Sequence, residues 1–199
     1  MKILIASNNK HKLIEIQEIL DSSNIKGVQL VTPNEFLGYS IEVEETEETL
    51  EGNATLKAKA YFDISKIPVI ADDTGLEIDT LHGQPGVNSA RFSGVHGNDV
   101  LNRKKVLELM KDTPEEKRTA RFRTVICFES EANTDYKEGI CEGKIINEEH
   151  GTNGFGYDSI FVPNRYNKTF AEMNAEEKNK ISHRGKAIRN FVEFLKKSC

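Results

Sequence analysis

The chain has 199 residues, 37% of them hydrophobic and 30% charged, with a formal net charge of −5. That length and balance fit one soluble globular domain, spanning residues 1–199, with a sizeable core. The acidic excess argues against binding a nucleic acid polymer, which normally takes a basic surface, but leaves room for a basic cleft that binds a nucleotide. No run reaches membrane-spanning length, and the opening MKILIASNN lacks the apolar core of a signal peptide. Cys127, Cys141 and Cys199 are odd in number and form no CxxC pair. They read as reduced thiols of a cytoplasmic protein, the first two within strands, and a zinc site is not expected.

In chain order, residues 2–6 form an apolar run of strand type, followed by the polar turn SNNKHK. Leu13, Ile16, Ile19 and Leu20 then recur at helical spacing, which predicts strand, loop, helix. The loop lacks the glycines of a P-loop or a dinucleotide fingerprint. Residues 42–51 are strongly acidic and read mostly as a solvated loop. Asn53, Lys57 and Tyr61 share one face of a helix expected to run to residue 65. Pro68 ends it, residues 69–71 start a strand, and alternation over 75–81 predicts a second, returning strand. A glycine-bearing loop leads to a helix over 98–111, with Val100, Leu107 and Met110 toward the core. Residues 119–128 and 136–146 read as two antiparallel strands, 151–157 as a glycine-bearing loop, and 158–162 as strand again. Asn174 with Glu177 has the form of a capping box, and Ile188, Phe191 and Leu195 give the last helix its apolar stripe. Helices interleaved with strands predict an α/β protein with a mixed sheet.

The stretch VIADDTGLEIDTLHGQPGVNSARFSG is the most informative. A β-branched run ends in Asp72 and Asp73, which the pattern places at an exposed strand end where the chain turns. Carboxylates there suit a hard cation such as Mg²⁺, which keeps part of its water shell and usually bridges to phosphate. Residues 7–12 supply backbone N–H groups, a hydroxyl, two amides and two lysines at a helix start, a setting that favours anions. Glu44 and Asp73 could give metal oxygens. Phe155 and Tyr157, flanked by Gly154 and Gly156, could stack on a base. Lys178, His183 and Arg184 crowd donors near the turn before the last helix.

Five segments together resemble the inosine triphosphate pyrophosphatase family: SNNKHKLIE, EETEETLEGNATLKA, ADDTGLEIDTLHGQPGVNSARFSG, GFGYDSIF and EKNKISHRGKA, in the family's order from residue 7 to 187. The resemblance implies an elongated mixed sheet with flanking helices, two lobes around a central substrate cleft, and a homodimer. It implies Mg²⁺-dependent hydrolysis of ITP, dITP and XTP to monophosphate and pyrophosphate, which clears non-standard purine nucleotides from the pool.

By the same resemblance Ser7, Asn8, Asn9, Lys10, His11 and Lys12 embrace the triphosphate, with Lys57 as a further cation. Glu44 and Asp73 bind the metal, and Asp73 takes a proton from the attacking water. Thr74 contacts substrate, while Phe155, Gly156, Tyr157, Asp158, Lys178, His183 and Arg184 bind the base. A carbonyl at purine position 6 would accept from His183, Arg184 or Lys178, whereas adenine offers a donor there. Each mispaired buried donor costs ~1–3 kcal/mol.

Overall fold

The structure, a computed structural model, describes residues 1–198 apart from 24 and 26. Cys199 therefore lies outside the described residues. The chain divides into two compact units: Met1–Asp73, Thr124–Gly139 and Arg184–Cys199 make the first, and Thr74–Arg123 with Ile140–His183 the second. Among the described residues the strands are β1 (Lys2–Ile5), β2 (Gln29–Val31), β3 (Val69–Ile78), β4 (Pro85–Gly86), β5 (Thr119–Glu129), β6 (Thr134–Ile145) and β7 (Phe161–Pro163). They form one sheet in the order β2-β1-β3-β5-β6-β7, with β4 paired to β3. The α-helices are α1 (Lys10–Ser22), α2 (Pro33–Leu37), α3 (Leu50–Ser65), α4 (Asp99–Leu109), α5 (Ala175–Ile181) and α6 (His183–Ser198). The α/β class with a mixed sheet and flanking helices is as the sequence predicts.

In the first unit β1 pairs in parallel with β2 and β3, with Leu4 opposite Val69 and Ile5 opposite Ile70. Successive side chains on a strand point to opposite faces, so strand parity sorts the core into two layers. Ile3, Ile5, Ile70, Ile126 and Phe128 pack with Ile16 and Ile19 of α1 and with Ile188, Phe191 and Leu195 of α6. Leu4, Ala6, Val69, Ala71 and Cys127 face Ala54, Ala58 and Tyr61 of α3. Over residues 69–73, even-numbered β3 residues thus meet α1 and α6, and odd-numbered ones meet α3. Burial pushes the Cys127 thiol up to about 11, which keeps it protonated and inert near neutrality. Cys141 is also buried, on β6, as expected.

In the second unit β4 runs antiparallel to β3 and β7 antiparallel to β6. Phe122, Phe161 and Phe170 form its aromatic centre, with ring centroids 4.8 to 6.0 Å apart. Leu76, Ile78, Val106, Met110 and Ile160 pack around them. Arg118 is buried here; its guanidinium donates to the carbonyls of Met110 at 2.6 Å, Ile145 at 2.7 Å and Ile146 at 3.1 Å. A buried guanidinium saturated by carbonyls staples the end of α4 to the end of β6.

Three expectations are corrected. The chain does not turn after Asp73: β3 continues through ten residues, because Gly75 admits the Gly86 carbonyl. A Cβ at position 75 would stand 2.7 Å from that oxygen. Asp72 and Asp73 are consequently buried within a strand rather than exposed at its end. Residues 158–160 form a 3-10 turn before β7, since Asp158 turns back to bind Phe155 N–H. Val100 is exposed, and Val106 takes its place in the core on the face shared with Met110.

Candidate active site

The strand parity that sorts the core also sorts the two aspartates. Asp72 points toward α1 and α6, where its Oδ2 lies 3.0 Å from Lys12 Nζ and 3.5 Å from the Arg184 guanidinium. Arg184 is also bonded to Glu15 of α1. Asp73 points toward α3, where Oδ1 lies 3.5 Å from Lys57 Nζ and Oδ2 accepts from Asn53 Nδ2 at 3.3 Å. Lys57 also donates to the Asp72 carbonyl at 2.6 Å and to Glu45 Oε1 at 2.7 Å.

These surroundings move the neighbouring carboxyls in opposite directions. Burial alone would raise Asp72, but Lys12, then Arg184 and Lys57, overcome it and hold the group far below the ordinary carboxylate range. Burial raises Asp73; Lys57 and Lys12 oppose this only in part, while Glu45 and Asp72 add to it. Burial likewise lowers Lys12, whereas Lys57 ends above its ordinary value because Asp73, Glu45 and Asp72 outweigh its burial.

The loop between β1 and α1 is ordered by its own side chains. Asn9 caps α1, its Oδ1 accepting from the N–H groups of His11 at 3.0 Å and Lys12 at 3.3 Å. Ser7 Oγ accepts from Asn9 N–H at 3.2 Å, and Asn8 Nδ2 donates to the Ile41 carbonyl at 3.3 Å. Lys10 and His11 are exposed in the first helical turn. Of residues 7–12, the structure brings Lys12 directly into the aspartate cluster. Thr74 follows Asp73 on β3, half-buried.

Glu44 is exposed, and the carboxylate brought to Lys57 is its neighbour Glu45. Residues 41–46 alternate inward and outward, so Ile41, Val43 and Glu45 share the inner face while Glu42, Glu44 and Thr46 face out. Tyr61 fixes that register by bonding both the N–H and the carbonyl of Ile41, each at 3.0 Å. Among the described residues no three His, Cys, Asp or Glu side chains make a ready metal cage. Mg²⁺ needs none: one or two carboxylates with substrate phosphates suffice. Asp73 and Glu45, both on one ammonium, fit that requirement.

The second unit holds the other expected group. Lys178 Nζ, buried, is 2.7 Å from Asp158 Oδ2, 5.0 Å from the centre of the Phe155 ring and 5.7 Å from that of Phe170. The same Asp158 oxygen accepts from Phe155 N–H at 2.9 Å. His183 is buried and lies flat on Phe122, centroids 4.5 Å apart and planes 13° apart. Tyr157 differs from expectation: its ring is in the core and its hydroxyl donates to the Ser89 carbonyl at 2.7 Å, so it supports the loop instead of offering a stacking face. Phe155 is half-buried, and Gly154 and Gly156 on either side of it take the left-handed conformation with φ of 74° and 62°. Arg184 sits with Asp72 and Glu15, in the first unit, while its neighbour His183 belongs to the second.

Sequence reasoning missed Glu15, Glu45 and Asn53. The signals were present: Asn53 shares the Lys57 face of α3, and Glu45 shares the parity of Ile41 and Val43.

In this α/β fold Lys12, Lys57, Arg184 and two aspartates meet near the N-terminus of α1. The chain belongs to the Ham1 family, whose model matches residues 3–194. It is 45% identical over 196 residues to a dITP/XTP pyrophosphatase of Desulforamulus reducens, covering 98% of this chain and 96% of that protein. With a dITP/XTP pyrophosphatase of Christiangramia forsetii it shares 43% identity, covering 99% and 100%. Its fold is similar to that of the Staphylococcus aureus Ham1 protein, with a TM-score of 0.87 and 36% identity over the whole of both chains. The family read from the five motifs is thereby borne out.

Proposed function

We propose that this chain is a nucleoside triphosphate pyrophosphatase that hydrolyses ITP, dITP and XTP to the monophosphate and pyrophosphate, with Mg²⁺ as cofactor. The observation that carries this reading is the oppositely shifted aspartate pair of β3, set among Lys12, Lys57 and Arg184. Asp73 and a carboxylate of the Glu44–Glu45 pair would hold Mg²⁺, which when bound supplies positive charge to the phosphate oxygens and favours deprotonation of water.

The chain's own groups do the rest. Asp73, its affinity for protons raised by burial, accepts a proton from the water that attacks the α-phosphorus. Lys12, Lys57 and the N–H groups at the start of α1 offset charge on the departing pyrophosphate. Asp72 stays ionised and keeps Lys12 and Arg184 in place. Phe155 stacks on the base, and Lys178 and His183 present donors to the position-6 carbonyl. The site acts as part of a homodimer in the cytoplasm, removing deaminated purine nucleotides before polymerases incorporate them.

The test is a substrate panel. Purified protein with Mg²⁺ should hydrolyse dITP and XTP at least about a hundredfold faster, by kcat/KM, than dATP, as two or more mispaired donors imply. Equal rates on dITP, XTP and dATP would remove the base-reading assignment.

A further inference from the structure

The loop at residues 151–157 has no regular structure and three left-handed glycines, Gly151, Gly154 and Gly156. Its first half is held by the Thr152 and Asn153 N–H groups donating to the Ala171 carbonyl at 3.1 and 3.0 Å, and its Phe155–Gly156 link by α4. Asp99 and Arg103 are one helical turn apart on the same face. The Gly156 N–H donates to Asp99 Oδ2 at 2.7 Å, and the Gly156 carbonyl accepts from Arg103 Nη1 at 2.8 Å. With Asp158 on the Phe155 N–H, three of the four backbone polar groups of Phe155 and Gly156 are bonded to charged side chains. Such bonds are shorter and stronger than neutral ones. Arg103 is itself braced: its Nε lies 2.7 Å from Glu149 Oε2, which also accepts from Ser159 Oγ at 2.9 Å.

We propose that Asp99 and Arg103 are positioning residues for base recognition: by clamping Gly156 from both sides they fix the plane of the Phe155 ring. The proposal rests on the reading of Phe155 as the base-stacking residue. A helix N-terminal carboxylate such as Asp99 would ordinarily serve its own helix. Here the neighbouring Asn98 already caps α4, accepting from Leu101 N–H at 3.0 Å, and the Asp99 oxygen is turned to the loop. The clamp acts on how tightly a base-bearing substrate is held, and leaves the phosphate chemistry of the first unit untouched.

The experiment is steady-state dITP hydrolysis by the full chain carrying Asp99→Leu, Arg103→Met, Asp99→Asn, Asn98→Ala or Phe155→Ala, with the folded fraction followed by circular dichroism. Asp99→Leu and Arg103→Met should raise KM about tenfold and leave kcat within about twofold, the pattern of lost ground-state binding. Asp99→Asn, which keeps an acceptor for the Gly156 N–H, should restore most of the KM. Asn98→Ala weakens α4 without touching the loop and should leave KM unchanged. Wild-type KM in Asp99→Leu and Arg103→Met beside a raised KM in Phe155→Ala overturns the clamp. A fall in kcat that only tracks the folded fraction overturns it too. Wild-type KM in Phe155→Ala overturns the stacking reading itself.

Discussion

Asp73→Asn is expected to lower kcat for dITP by about a thousandfold or more while the protein stays folded and still binds the nucleotide. The amide keeps the shape and the bond to Asn53 but can neither accept the water's proton nor neutralise a cation. Stability should be unchanged or slightly higher. Burial raises the Asp73 carboxyl in the folded state, so at neutral pH its charge opposes folding, and that opposition fades as pH falls toward its folded value. An uncharged isostere relieves it. Pyrophosphate release with urea unfolding on the same preparations checks both halves. Retained turnover would move the base role elsewhere; lost turnover with lost folding would make Asp73 structural.

Its neighbour should behave in the opposite way. Asp72→Asn is expected to cost roughly 3–5 kcal/mol of unfolding free energy, because Lys12 loses its buried counter-charge and Arg184 keeps Glu15 as its carboxylate partner. The folded-state carboxyl is held well below its unfolded value, so its contribution is full above about pH 4 and is lost as pH falls toward the folded value. The wild type should therefore lose unfolding free energy on acidification below about pH 4 more steeply than Asp72→Asn does. Urea midpoints measured for both proteins from pH 7 downward give the comparison. Parallel curves would mean that the ion pairs around Asp72 add nothing to stability.

Strand geometry explains why two adjacent residues of one type meet such different surroundings. Parity sends one carboxylate to the α1–α6 layer, where cations outnumber its needs. It sends the other to α3, where Glu45 competes for the same lysine.

Much of this was legible in the chain. The helical spacing of Leu13, Ile16 and Ile19, the capping box of Asn174 and Glu177, and the stripe of Ile188, Phe191 and Leu195 each report a local rule, and each is found. What failed depended on distant partners. Residues 72–75 read as a turn because two aspartates, a threonine and a glycine favour one locally. The cations that let them stay in a buried strand come from residues 12, 57 and 184. Tyr157 read as a stacking face because its glycine neighbours suggested exposure, whereas the core of the second unit and the Ser89 carbonyl claim it. The Asp99–Arg103 grip on Gly156 joins segments more than fifty residues apart, and no spacing rule reaches that far.

A phosphorus NMR time course of the wild-type protein with dITP and Mg²⁺ tests most directly whether the β3 cluster splits a triphosphate between its first two phosphates. Monophosphate and pyrophosphate resonances are expected to grow together in equal amounts from the first spectrum. Early inorganic phosphate with accumulating dIDP, or no turnover at all, would contradict it.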